Sequence, residues 1–222
     1  MAPKLSSVTT HRILGAAAAL LLALPAGAQI INVPPPEATR RPIAATATLG
    51  FLQTQSRFDG QSGVLWNLGE GLQYRLALDY GLRSGSIGLA GTLASVGIVR
   101  SGGSAPPGSR GDIQLRQVLA TFRTPETPGA HQIIDVGVGL SQWANYSGTD
   151  QLTSDEAKPR NAFTLVVGYG FGFTLGDQAA LMLVQDMATL WGSGEGLPSG
   201  SSRMVRQYTT RVGLRYRFAG AR

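Results

Sequence analysis

Cysteine is absent from the 222 residues, so neither a disulfide framework nor thiol chemistry is open to the chain. Charge is sparse, with Asp, Glu, Lys and Arg together making 14% of the sequence. The body has no apolar run of the ~20 residues that a helical span requires, which excludes a helical membrane protein. It also lacks a basic cluster with interleaved aromatics, so no nucleic-acid partner is expected. Beyond residue 28 there is a single histidine, His131; without cysteine or a second histidine no metal cluster is expected, and no cofactor. What the chain has in quantity is glycine, 30 residues, within a composition that is 43% hydrophobic. That is too apolar for disorder.

The N-terminus reads as a signal peptide. Lys4, His11 and Arg12 form a basic start, an apolar stretch runs from Ile13 to Leu24, Pro25 breaks it, and Ala26-Gly27-Ala28 supplies small residues for cleavage. The stretch is too short to anchor the chain. Cleavage is expected after Ala28. Loss of Lys4 and Arg12 leaves 17 basic against 13 acidic residues, a modest excess without focus. Residues 29–42 contain Pro34, Pro35, Pro36 and Pro42; fixed φ and missing donors make this an extended periplasmic lead-in outside any sheet. The barrel domain is expected over 43–222.

From Ile43 onward apolar and polar residues alternate. Leu72, Tyr74, Leu76, Leu78 and Tyr80 share one phase, and Gln73, Arg75, Ala77 and Asp79 the other. Residues two apart share a face in a strand and not in a helix. The pattern returns in Phe163 to Thr174 and in Gln207 to Phe218. Read throughout, it gives eight strands, near 44–53, 71–81, 86–98, 112–123, 131–142, 162–174, 179–190 and 204–218. Most reach the roughly 9–11 residues that a tilted strand needs to cross a bilayer. The links alternate in length: 54–70, 99–111, 143–161 and 191–203 are long, while 82–85, 124–130 and 175–178 are short turns. Short periplasmic turns, longer outer loops and an even strand number define an outer-membrane barrel. The expected fold is therefore all-β, an eight-stranded antiparallel up-and-down transmembrane β-barrel with both ends periplasmic. Ile113 to Arg123 and Ala179 to Leu190 carry apolar residues on both phases, and a bulge is one way to switch phase there.

Aromatic residues gather at strand ends, the levels where amphipathic rings favour the membrane–water interface. Trp143, Phe163 and Trp191 are expected at the outer rim, and Tyr80, Phe173, Tyr216 and Phe218 at the inner rim. The polar phase then projects inward. Arg75, Asp79, Asp135, Arg211 and Arg215 are expected to form a paired network in the lumen, with Arg116 and Asp186 as further candidates, because unpaired charge in so narrow a space is costly. Eight strands leave an interior that side chains just fill. Period two alone also permits the inverted arrangement, a secreted soluble lipocalin-like barrel with its apolar face around a ligand.

The ending Arg211-Val212-Gly213-Leu214-Arg215-Tyr216-Arg217-Phe218 resembles the closing strand of small bacterial outer-membrane barrels of the outer-membrane protein A, protein X and opacity-protein type. The resemblance implies the outer membrane as location, the lipid bilayer as surroundings, and engagement of the closing strand by the barrel assembly machinery through its terminal aromatic. Here Ala219 to Arg222 follow that aromatic. No catalytic set is legible. A lipid-modifying barrel needs His, Ser and an acid together near the outer leaflet, whereas His131 follows a short turn and falls at the inner end. Asp150, Asp155 and Glu156 in the third long loop are read as a solvated acidic loop. The leading expectation is a non-enzymatic barrel with a plugged polar lumen, structural or interacting with an unknown surface partner through four outer loops. A narrow pore for small or hydrophobic solutes, suggested by Gly168, Gly170 and Gly172, is the alternative.

Overall fold

The computed structural model describes residues 43–60, 62–103, 105–148, 159–192 and 204–218. The expected signal peptide and proline-rich lead-in lie outside the described residues, as do Asp150, Asp155 and Glu156. The strands are β1 (Ile43–Thr54), β2 (Arg57–Asp59), β3 (Val64–Leu82), β4 (Gly85–Ser101), β5 (Arg110–Arg123), β6 (Ala130–Gly148), β7 (Arg160–Leu175), β8 (Ala179–Gly192) and β9 (Met204–Arg217), and no helix occurs among the described residues.

From β2 to β9 each strand pairs antiparallel with the next in sequence, and β1 pairs with β3 and β9, so the sheet closes on itself. Eight strands form the wall; β2 is a three-residue addition hydrogen-bonded to the far end of β3. The stagger can be followed through the paired residues. From Thr54 the register passes through Gln207, Ala188, Val166, Gly137, Thr121, Gly88 and Asp79 and returns to β1 at Ala44, ten residues from where it began. A stagger of that kind obliges the strands to tilt and leaves the closed sheet without a free edge. The three short turns lie at the end where Ile43 pairs with Tyr80 and Ala44 with Arg217. Gly129 and Gly176 take the positive φ these reversals need.

The apolar phase faces out. Leu76 is 69% exposed and Leu78 61%, while Arg75 and Asp79 on either side of them are each 4% exposed. The inverted, ligand-holding arrangement is thus the opposite of what is observed. The outward apolar belt ends toward the long-loop side at Gln53, Glu70, Ser95, Arg116, Gln142, Asn161 and Arg206, none of them buried.

Three expectations are corrected. The stretch 54–70 is not a simple loop: β2 and the first residues of β3 form a hairpin there, and β6 likewise runs on to Gly148. Beyond the apolar belt these extensions have no alternation to announce them. β5 and β8 also need no change of phase through their apolar stretches, where burial alternates without a break from Leu115 to Arg123 and from Ala180 to Ala188. Their mixed pattern arises because apolar side chains stand on both faces, Leu115 and Leu119 inside and Val118 and Phe122 outside. The one irregularity of β5 lies above this, where its pairing with β6 shifts between Asp112 and Gln114 opposite Asn145, which holds a φ of 54°.

Candidate functional site

The lumen is layered. Toward the turn end, strands β3, β5, β6, β8 and β9 each direct a charged side chain inward on the phase opposite the lipid-facing one. Arg211 is central: its Nε donates to Asp186 Oδ2 at 2.5 Å and its Nη2 to Asp135 Oδ2 at 2.5 Å. Arg123 Nη2 donates to the same Asp135 oxygen at 3.0 Å, and its Nη1 lies 3.6 Å from Asp79. Arg215 Nη1 donates to Asp79 Oδ2, and Arg75 lies 3.6 Å from Asp135 and 3.9 Å from Asp186. Glu126, in the turn between β5 and β6, reaches back into the mouth, with Oε1 2.7 Å from Arg215 Nε and Oε2 3.1 Å from Arg217 Nη2. Arg75, Arg123, Arg211 and Arg215 thus stand among Asp79, Asp135, Asp186 and Glu126, four cations against four anions. Burial would be prohibitive for any of them alone; mutual neutralisation makes it tolerable.

Above the charges lies an apolar layer. Leu52, Val96, Leu115, Leu119, Leu190 and Val205 meet there with Trp143, all buried. Between the layers Gln117 Nε2 donates to Ser141 Oγ at 3.0 Å, and Ser141 is hydrogen-bonded to Thr164 at 2.5 Å. A cavity of about 10 Å³ sits at this level among Gln73, Arg75, Thr92, Gln117 and Gln207. It is about one water in size.

Two glycines of β7 make room for side chains of the neighbouring strands. A Cβ on Gly168 would fall 2.2 Å from Asp186 Oδ1, and one on Gly172 would fall 2.4 Å from His131 Nε2. Both places are filled by side chains from the adjacent strands. His131 itself is buried at the turn end, its Nδ1 3.2 Å from the Gly129 carbonyl oxygen.

All five residues expected in the lumen, Arg75, Asp79, Asp135, Arg211 and Arg215, are brought together, and Asp186 joins them. Arg116 does not: it is exposed on the outer face and donates from Nη2 to Gln114 Oε1 at 3.1 Å. Val118 and Phe122 face out with it, so its parity on β5 is the lipid-facing one. Arg123 and Glu126 were missed. Arg123 was hidden in the strand with apolar residues on both phases, and Glu126 belongs to a turn, where no periodicity speaks.

Among the aromatics, Tyr80, Phe163, Phe173, Trp191, Tyr216 and Phe218 are exposed on the outer face, and two pairs touch: Phe163 with Trp191 at 5.9 Å, Tyr216 with Phe218 at 5.3 Å. Trp143 is corrected. It is 7% exposed and packs inside the lumen, because it shares the parity of Asp135 and Ser141, which also point inward.

Among the described residues no group of three or more His, Asp or Glu is placed to hold a metal ion. Asp79, Asp135, Asp186 and Glu126 are each engaged by at least one guanidinium, an arrangement suited to holding strands together.

No protein-family model matches the sequence, and no curated protein matches it. Solved structures do match in fold. Neisserial surface protein A is 10% identical with a TM-score of 0.50, over 79% of this chain and 97% of that one. OprG from Pseudomonas aeruginosa is 13% identical with a TM-score of 0.47, over 81% and 97%. Ail from Yersinia pestis is 18% identical with a TM-score of 0.43, over 79% and 98%. At such identities the likeness is one of architecture. The chain has the fold of the small eight-stranded outer-membrane β-barrels.

Proposed function

We propose that this chain is a non-enzymatic outer-membrane barrel whose lumen is held shut, and that its role is structural or is exercised through the four longer connections, which meet the exterior. The paired lumen charges beneath the apolar layer carry this reading: ions or solutes would have to break the first and pass the second. An open pore of this size would instead need an interior lined by solvated groups. In the proposed orientation both chain ends and the short turns are periplasmic. Phe163 and Trp191 then stand at the outer interface, Tyr80, Phe173, Tyr216 and Phe218 at the inner one, and β9 is the strand offered to the barrel assembly machinery. His131 falls at the periplasmic end, away from the outer-leaflet lipid that a lipid-modifying enzyme would act on.

Planar-bilayer recording of the purified, refolded chain tests the closed lumen. The expected record is a flat baseline; steady, large conductance steps would refute the reading.

A further inference from the structure

The lipid-facing belt carries one polar pair where none is needed. Gln185 is the seventh of the fourteen residues of β8, and its outward neighbours on that strand, Leu181, Leu183 and Met187, are 46–50% exposed. Across the sheet it is in register with Tyr169 of β7 and Thr210 of β9. The Thr210 hydroxyl donates to Gln185 Oε1. That satisfies the hydroxyl and one lone pair of the amide. The side-chain N–H groups of Gln185 donate to no described residue, and they lie on the outer face. Thr210 lies four residues from Arg206, where the belt ends on the long-loop side, and Gln185 lies six residues from Ala179 at the other end of β8, so headgroups and water are roughly 10–15 Å away along a tilted strand. Acyl chains offer no acceptor, and an amide left without one in hydrocarbon is costly.

We propose that the face centred on Gln185 is a contact between two copies of this chain within the membrane. The amide is self-complementary, since its nitrogen donates twice while its oxygen keeps a second lone pair. A two-fold axis along the membrane normal preserves depth, so a polar group at mid-belt always meets its own copy at its own level. An unrelated protein would have to bring a matching group to the same depth. Two-fold pairing is also the commonest form of self-association, and the apolar side chains around Gln185 (Leu183, Met187 and Val212) give the contact a dry surround.

The absence of cysteine from the sequence makes the test direct. The full mature chain is reconstituted in lipid vesicles with one introduced cysteine, either Met187→Cys beside Gln185 or Leu89→Cys on β4, four strands away round the wall. Oxidation is expected to yield several times more disulfide-linked dimer from Met187→Cys than from Leu89→Cys. Adding Gln185→Leu to the Met187→Cys chain is expected to lower that yield about three- to tenfold, the scale of a polar contact within a membrane. Retained heat-modifiable gel migration shows that the barrel still folds; should the leucine variant fail there, Gln185→Met serves with the same expectation. Equal yields at the two sites, or a yield indifferent to loss of the amide, would overturn the proposal. So would crosslinking of Met187→Cys in native membranes to a different protein in place of its own copy.

Discussion

Asp135 Oδ2 is the residue-scale centre of the molecule, with Arg211 at 2.5 Å, Arg123 at 3.0 Å and Arg75 at 3.6 Å. Replacing this carboxylate removes the shared counter-charge of three buried guanidiniums. Asp135→Asn is therefore expected to cost about 3–5 kcal/mol, the range for breaking a buried pair. Glu126→Gln should cost less, about 1 kcal/mol, because Arg215 keeps Asp79 as a counter-charge and Arg217, with 27% of its side chain exposed, can turn to water. Urea titration of the two refolded variants gives the ordering, and a smaller loss for Asp135→Asn would contradict it. Residue by residue, parity carried most of the inward set: Arg75, Asp79, Asp135, Arg211 and Arg215 are each on the phase opposite to the outward Leu76, Ile134 or Leu214 of their own strand. Trp143 was legible by the same rule, eight residues from Asp135, but its place at a strand end suggested the interface. Arg123 could have been placed by counting four residues on from Leu119, had the inside been known to be partly apolar.

At the scale of the element, β7 shows how small residues serve a crowded interior. Gly172 leaves the space that the His131 ring fills, and Gly168 the space for Asp186. Gly172→Ala forces a Cβ into the imidazole, an overpacking expected to destabilise by about 1–3 kcal/mol. Since the obstacle is one ring, the double variant His131→Ala, Gly172→Ala should recover most of that loss. A double-mutant cycle by chemical unfolding measures the coupling, and additive losses would contradict the packing argument. Strand identity was readable wherever one face was mostly apolar and the other mostly polar, as along Leu72–Tyr80 of β3 and Tyr208–Tyr216 of β9. It blurred in β5 and β8, where Leu115, Leu119, Val184 and Leu190 are buried in the lumen and the inner face imitates the outer one. The strand extensions past the lipid belt, Val64 to Glu70 and Trp143 to Gly148, were not readable because their pairing is maintained by backbone hydrogen bonds, with side chains of no fixed alternation.

At the scale of the whole molecule, strand number and closure followed from two simple facts, period two and the alternation of long and short links. The ten-residue stagger did not, because register depends on which residues meet across strands and no single strand records it. The layering of the lumen also emerges only on closure, when residues far apart in sequence, such as Arg75 and Asp186 or Asp79 and Arg215, are brought to one level. The same closure sets which phase meets lipid, and everything proposed for the lumen and for Gln185 depends on that assignment. It is tested most directly by single-cysteine spin labels along β3 in lipid vesicles, reading collision with membrane-dissolved oxygen. Labels at Leu72, Tyr74, Leu76, Leu78 and Tyr80 should collide freely with oxygen, and labels at Gln73 and Ala77 should be protected. The opposite phase, or no alternation at all, would contradict the account.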